Sequence, residues 1–231
     1  MLRLENLRLS YPDFELVADW SANPSEIVAL VGPSGAGKST LLMAIAGFLQ
    51  PASGRVLWQG QDITRNPPAN RPVSILFQDQ NLFPHLTISQ NLGLALSPNR
   101  PVDSGQKTRI DAVLDRLGVS GLGARRPADL SGGQQGRAAL ARVLLQNRPI
   151  LLLDEPFAAL GPALKTDLLA LVRDLTKETR ALVLLVTHDP QDALRFADRT
   201  VLVADGVARA PVLTPDLFAS PPKALKDYMG P

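Results

Sequence analysis

Short apolar runs alternate along the chain with segments of helical periodicity. Nearly continuous apolar runs, typical of buried parallel strands, occupy residues 26–31, 73–77, 150–153 and 182–186. Residues 41–49 and most of 87–147 have the spacing of helices, with a loop at 97–101. Strands that alternate with helices predict an α/β fold with a mainly parallel sheet.

The two ends of the chain have different patterns. Near the N-terminus, leucines alternate with polar residues, which predicts an edge strand or hairpin. Residues 56–59, followed by Gly60, predict another short strand, and Asp205-Gly206 predicts a hairpin turn. Thr214 is the predicted N-cap of a short helix with Pro215 at its first position.

We therefore expect one domain over residues 1–231, with a helical subdomain inserted at about 88–147. The tail at 211–231 is proline-rich, but it keeps apolar residues and is predicted to dock.

Composition limits the classes of protein that fit. The chain has 231 residues, 45% hydrophobic residues, 20% charged residues and a net charge of +2, so we expect no nucleic-acid partner. It has no cysteine, which excludes disulfides and thiolate metal sites. The longest apolar runs are far shorter than a membrane span, and no signal-peptide pattern opens the chain, so a cytosolic location is expected.

A glycine-rich segment lies between a predicted buried strand and a predicted helix. Its sequence, GPSGAGKST at residues 32–40, fits the G-x-x-x-x-G-K-[ST] loop that wraps nucleotide phosphates. Backbone N–H groups and a helix N-terminus then converge on an anion, Lys38 reaches the outer phosphates, and Ser39 becomes a magnesium ligand. A simple turn that starts a helix is the alternative. The predicted nucleotide-binding residues are Gly32, Pro33, Ser34, Gly35, Ala36, Gly37, Lys38, Ser39 and Thr40.

Two adjacent carboxylates, Asp154 and Glu155, follow the apolar run at 150–153. Open α/β sheets bind ligands at the C-terminal ends of their strands. Asp154 is predicted to hold Mg²⁺, and Glu155 to orient or deprotonate the water that attacks the γ-phosphate. A solvated carboxylate pair is the alternative, which the nearby phosphate loop disfavours.

Residues 130–134, LSGGQ, predict a helix start of unusual composition. Ser131 and Gln134 have the spacing of a capping box. Gly132 and Gly133 would weaken the first turn of a helix, so the cap alone does not account for them. Glycines are expected where a phosphate of another molecule approaches the backbone closely.

In chain order, the phosphate loop, Gln78, LSGGQ, the strand ending in Asp154-Glu155, and His188 resemble the ATP-binding cassette family of transporter ATPases. The resemblance covers residues 11 to about 206, and LSGGQ is highly specific to that family. It implies a P-loop NTPase core with an N-terminal antiparallel β subdomain and an inserted helical subdomain. It also implies ATP hydrolysis that powers transport.

The resemblance assigns further roles. Tyr11 is similar to the aromatic residue that stacks on adenine, and His188 to the switch histidine at the γ-phosphate. The implied catalytic residues are Glu155, His188 and Gln78, and the implied metal ligands are Ser39, Gln78 and Asp154. The residues implied to contact ATP bound to a second copy are Ser131, Gly132, Gly133 and Gln134.

The implied cofactors and partners follow from the same resemblance. ATP and Mg²⁺ are clamped between two copies of the chain in a two-fold symmetric homodimer. Membrane-spanning permease subunits, docked near residues 83–87, would hold the chain at the cytoplasmic face of the inner membrane. A solute-binding protein would act only indirectly.

Three segments, at residues 45–54, 71–78 and 81–87, also resemble the ATPase subunits of bacterial thiamine importers. Importers of other small solutes, such as a polyamine, iron or an anion, share parts of them and remain open as alternatives. Chromosome-maintenance ATPases, with their long coiled-coil insertions, and two-cassette ribosome-binding factors fit less well.

The sequence departs from the family pattern at three positions. Gly161 stands where aspartate is usual, in a loop that crosses the dimer interface, and Gly136 stands where long polar side chains are usual. Ser25 replaces a turn glycine. None of these removes a phosphate contact, so an active ATPase is expected. A catalytically weak cassette in a heteromeric pair is the alternative that remains open.

Overall fold

The computed structural model describes residues 1–77, 82–98 and 100–229. In chain order, the strands and α-helices of these residues are β1 (Leu2–Tyr11), β2 (Phe14–Ala22), β3 (Ile27–Val31), α1 (Lys38–Ala46), β4 (Ser53–Trp58), β5 (Gln61–Asp62), β6 (Val73–Leu76), α2 (Ile88–Leu96), α3 (Ser104–Arg116), α4 (Gly132–Gln146), β7 (Ile150–Asp154), α5 (Pro162–Thr179), β8 (Leu182–Val186), α6 (Pro190–Phe196), β9 (Arg199–Ala204), β10 (Val207–Ala208), β11 (Val212–Leu213), α7 (Thr214–Ala219) and α8 (Lys223–Met229).

The described residues form two compact units. The first comprises Met1–Val73, Pro149–Glu155 and the described part of Val172–Pro231. The second comprises the described parts of Ser74–Arg148 and Pro156–Leu171, and the helical subdomain predicted at 88–147 falls within it.

The centre of the first unit is a parallel sheet with the order β9-β3-β8-β7. Every residue of β3 and β8 is buried, as their unbroken apolar sequences predict. The C-terminal ends of parallel strands meet at one edge of a sheet. The phosphate loop, Asp154 and the residues after Val186 are therefore delivered to the same edge.

The predicted N-terminal hairpin is confirmed. Strands β1 and β2 pair antiparallel, and β4 pairs antiparallel with β1. The Asp205-Gly206 turn between β9 and β10 is also confirmed, because both residues have positive φ angles, 53° and 73°, as a tight hairpin turn requires.

The tail docks as predicted, but the role predicted for Thr214 is wrong. Leu213 is the N-cap of α7, no side chain caps this end, and Thr214 is the first helical residue. The Thr214 hydroxyl is buried and lies 2.9 Å from the Thr200 hydroxyl. The Thr214 hydroxyl therefore takes part in a buried hydrogen bond to β9, and it does not cap the helix.

Helices α2, α3 and α4 pack together in the second unit. Each begins with a complete capping box, and the box predicted at Ser131 and Gln134 is confirmed. Over the described residues, no helix combines the length and apolar character that crossing a bilayer would require.

Candidate nucleotide site

The loop between β3 and α1 needs glycine for reasons of backbone geometry and packing. Gly32, Gly35 and Gly37 have φ angles of 149°, 78° and 99°, which side chains disfavour. A Cβ on Gly32 would lie 2.0 Å from the carbonyl oxygen of Val203, and one on Gly37 would lie 2.5 Å from the Phe14 ring. The loop therefore packs closely against β9 at Gly32 and against β2 at Gly37.

Lys38, the first residue of α1, is fixed inside this loop. Its Nζ donates hydrogen bonds to the carbonyl oxygens of Gly32, at 2.8 Å, and Pro33, at 2.9 Å. Burial lowers the pKa of Lys38, and the negative charges of Glu155 and Asp154 partly oppose that shift. Two carbonyl oxygens of the loop thus fix the position of the ammonium group.

Ser39 and Asp154 bring two oxygen donors together from α1 and β7. The Ser39 hydroxyl donates to Asp154 Oδ1 at 2.9 Å. Burial raises the pKa of Asp154, the charge of Glu155 adds to the rise, and the Ser39 hydrogen bond and Lys38 oppose it. A hydroxyl beside a carboxylate is a donor set that suits Mg²⁺, which favours hard oxygen ligands. Gln78, the third predicted ligand, lies outside the described residues.

Glu155 and His188 form a pair at the same edge. The Glu155 Oε2 atom lies 3.1 Å from His188 Nδ1. Since an ionised carboxylate can only accept hydrogen bonds, Nδ1 carries the proton in this pair. Glu155 has a left-handed backbone with φ of 46°, a conformation that costs about 1–3 kcal/mol and concentrates at functional sites. The sequence predicted both residues but not their direct contact.

Tyr11 ends β1 on the surface of the first unit. Its side chain is exposed, and its ring centroid lies 6.2 Å from that of Phe14, the residue whose ring faces Gly37. An exposed aromatic face that neighbours the phosphate loop in this way is available to stack on a base.

The LSGGQ segment lies in the second unit at the start of α4. Its two glycines also have a reason within the chain, which the sequence did not predict. A Cβ on Gly132 would lie 3.0 Å from a Leu160 methyl group, and one on Gly133 would lie 3.2 Å from a Leu164 methyl group. Glycine therefore lets Leu160, just before α5, and Leu164, in the first turn of α5, approach the first turn of α4.

Sequence reasoning missed Tyr228 altogether. The Tyr228 hydroxyl donates a hydrogen bond to the backbone carbonyl of His188. An open cleft of about 760 Å³ adjoins the phosphate loop, and α8 forms part of its wall. The cleft is lined by Pro33, Ser34, Gly35, Ala36, Ala204, Asp205, Ala224, Asp227 and Tyr228. The available signal was weak: Tyr228 follows the apolar Leu225 by three residues, on one helical face.

A family model described as ABC transporter matches residues 17–158. This chain belongs to the ABC transporter family. The family assignment confirms the resemblance that the sequence motifs indicated, and it accounts for a phosphate loop and an LSGGQ segment in one chain.

Individual members of the ABC transporter family are similar over the whole length. A thiamine import ATP-binding protein from Cereibacter sphaeroides is 62% identical over 231 residues, covering 100% of both chains. One from Ruegeria is 53% identical over 230 residues, again covering 100% of both.

Solved structures of this family confirm the fold. The ADP conformation of an ATP-binding cassette of an ABC transporter has a TM-score of 0.89 at 27% identity, covering 100% of this chain and 99% of that one. A dimeric bacterial ABC transporter cassette has a TM-score of 0.79 at 30% identity, covering 93% of this chain and 99% of that one.

Proposed function

We propose that this chain is the ATP-hydrolysing subunit of a bacterial thiamine importer. The observation that carries the ATPase assignment is the convergence of Lys38, the Ser39–Asp154 pair and the Glu155–His188 pair at one sheet edge. The solute follows from relatives named as thiamine import ATP-binding proteins, one of which is 62% identical over the full length.

The chemistry is the attack of a water molecule on the γ-phosphorus of ATP, with ADP as the leaving group. Glu155 orients the water and accepts its proton, and the His188 ring, which lies against Glu155 through Nδ1, contacts the γ-phosphate. Lys38 contributes positive charge at the outer phosphates, and Tyr11 stacks on the adenine.

Ser39 and Asp154, together with Gln78, are the residues that would hold Mg²⁺. When bound there, the ion would offset negative charge on the phosphate groups of the nucleotide. A site with a single protein carboxylate suits Mg²⁺, which takes its other ligands from water and from the nucleotide.

The signature residues Ser131, Gly132, Gly133 and Gln134 are proposed to contact ATP bound to a second copy of the chain. The dimeric form of a similar cassette supports this arrangement. Two-fold symmetry then generates two equivalent sites.

Permease subunits are the proposed membrane partners, and they would hold the chain at the cytoplasmic face of the membrane. The segment 83–87 is a suitable docking surface because the Phe83 ring is exposed while its backbone is fixed. The buried Asn91 side chain accepts from the Phe83 N–H at 2.7 Å and donates to its carbonyl at 3.1 Å.

Two substitutions test the ATPase assignment. Glu155→Gln keeps the size of the side chain but removes the base, so ATP binding should persist while turnover falls about 10²–10⁴-fold. With ATP, this variant should elute as a dimer in gel filtration. Lys38→Ala should instead lose tight ATP binding. If Glu155→Gln turned over ATP at the wild-type rate, the proposed mechanism would be wrong.

The solute is tested by transport. The chain is co-purified with its permease subunits, reconstituted in vesicles, and supplied with ATP and labelled thiamine. We expect uptake that requires ATP and is absent with Glu155→Gln. ATP hydrolysis without thiamine uptake would keep the ATPase assignment and contradict the thiamine assignment. ATP-dependent uptake of a labelled polyamine, iron or anion would then identify the alternative solute.

A further inference from the structure

We propose that Tyr228, on the last helix of the chain, is a positioning residue for ATP hydrolysis that fixes the backbone of His188 and so keeps its imidazole against Glu155. The inference rests on the proposed ATPase function. It adds a residue that lies outside all the sequence motifs.

The geometry links three residues in series. The Tyr228 hydroxyl donates to the carbonyl oxygen of His188, and the His188 ring meets Glu155 through Nδ1 at 3.1 Å. His188 lies between β8 and α6, outside regular secondary structure. Its side chain is 55% exposed, so packing alone does not hold the ring. A hydrogen bond to the backbone of the same residue restrains the position from which that ring extends toward Glu155.

The residues on either side of His188 are held by other contacts. The backbone N–H of Asp189 donates to the Thr187 hydroxyl at 3.1 Å, and the Asp189 carboxylate caps α6. Tyr228 acts on the His188 carbonyl that lies between these contacts. Its contribution is therefore distinct from theirs.

Helix α8 holds the Tyr228 side chain in a fixed position. Leu225, one turn before Tyr228, is fully buried and anchors the helix. Burial raises the pKa of Tyr228, and the negative charges of Glu155 and Asp189 raise it further. The hydroxyl therefore stays in the protonated form that can donate. Tyr228 also lines the cleft beside the phosphate loop, so the same side chain lies near both that loop and His188.

A purely structural role predicts a different behaviour. If Tyr228 only fastened α8 to the first unit, removal of its hydroxyl would lower the melting temperature and leave the His188 ring undisturbed. Positioning predicts a disturbed His188 ring and slower turnover, with nucleotide binding unchanged.

The test uses Tyr228→Phe in the full chain, with the exposed Lys226→Ala on the same helix as the matched control. Because the chain has two histidines, ¹⁵N-histidine labelling gives two imidazole signal sets, and His85→Gln assigns them. We expect the His188 signals of nucleotide-free Tyr228→Phe to shift or broaden while those of His85 stay in place. We also expect kcat to fall about tenfold, the effect of roughly one hydrogen bond, with KM for ATP within about twofold. Lys226→Ala should match the wild type.

Unchanged His188 signals in Tyr228→Phe would overturn the proposal, whether or not the melting temperature falls. Shifted signals with an unchanged kcat would overturn it as well. If the wild-type chain hydrolysed no ATP under any partner condition, the proposed function would fail, and the histidine signals would still decide whether Tyr228 positions His188.

Discussion

The Asp154 carboxylate is partly buried, an environment that disfavours its negative charge. Burial disfavours its ionised form and raises its pKa, although an ionised carboxylate is the form that a magnesium ion needs. In the nucleotide-free protein, ionisation at neutral pH therefore opposes folding. A residue proposed to hold Mg²⁺ is therefore expected to lower the stability of the nucleotide-free fold.

Asp154→Asn should raise the melting temperature of the nucleotide-free, EDTA-treated protein at pH 8. Since the folded-state pKa is raised, the wild type loses stability as pH rises from the unfolded-state value through the folded one, and asparagine does not. The difference should therefore shrink as pH falls through that window. Calorimetry over a pH series measures it. A difference that does not vary with pH, or a destabilised variant at pH 8, would contradict the assignment.

Ser25 has a backbone conformation that explains the family's preference for glycine there. Its φ angle is 67°, in the left-handed region, and its side chain is exposed. Its backbone N–H donates to the Arg180 carbonyl at 3.2 Å, a contact that needs no side chain. The turn before β3 thus carries strain from a single Cβ.

Ser25→Gly should stabilise the protein by about 0.5–1 kcal/mol, because relief of left-handed strain exceeds the added entropy of the unfolded chain. Urea denaturation measures the change in the free energy of unfolding. Ser25→Ala removes the hydroxyl but keeps the Cβ, so it serves as the control and should give no gain. Equal stabilisation by both substitutions would show that the hydroxyl, not the backbone angle, is unfavourable.

At the scale of elements, the residues around the start of α5 differ in how closely they pack against their neighbours. Leu160 and Leu164 lie over the signature glycines, whereas a Cβ on Gly161 would meet no atom within 4 Å among the described residues. An aspartate at this position would therefore fit without moving its neighbours. Steric crowding therefore does not require glycine at position 161.

Gly161→Asp should raise the ATPase rate several-fold if the missing carboxylate slows communication between paired sites. The melting temperature should stay within a degree or two, because the position is open. Steady-state hydrolysis measures the rate, and Gly161→Asn, similar in shape but uncharged, separates charge from size. An unchanged rate with Gly161→Asp would mean that the glycine does not limit turnover.

One strand with an unbroken apolar run was predicted at the correct residues, whereas the first and last residues of the helix after the phosphate loop were not. Strand β8 occupies the predicted residues 182–186 because complete burial leaves one interpretation. The helix predicted at 41–49 instead spans Lys38–Ala46, since Gly37 precedes it and Gly47, with φ of 89°, ends it. The apolar residues at 48 and 49 lie beyond that end.

The residues of the site were predicted because each has a local motif, but their contacts were not. Glu155 and His188 follow the ends of neighbouring strands, and the pairing of β7 with β8 brings those ends together. Tyr228 and Thr214 were missed or misassigned for a related reason. Their partners, His188 and Thr200, are distant in sequence, and no local pattern specifies how a tail docks.

At the scale of the whole molecule, the two motifs that are proposed to bind phosphate belong to different compact units. The loop at 32–40 lies in the first unit and LSGGQ in the second. In the proposed mechanism each ATP uses one motif from each of two copies. A single copy then holds half of each of two sites, and catalysis depends on association.

This dependence gives a prediction for the isolated subunit. Specific ATPase activity should rise with protein concentration and then level off, because dilution separates the copies. The dependence of the hydrolysis rate on ATP concentration should be sigmoidal. Its Hill coefficient should lie between about 1 and 2, because two coupled sites cannot give more than about 2. Steady-state assays over a wide range of protein concentration measure both, with Ser131→Ala as a variant expected to weaken ATP-driven association. A monomeric enzyme would instead give the same specific activity at every concentration and a hyperbolic ATP curve. That result would contradict the proposal of a site shared between two copies. It would not contradict the roles proposed for Lys38 and Glu155, because both act within one copy.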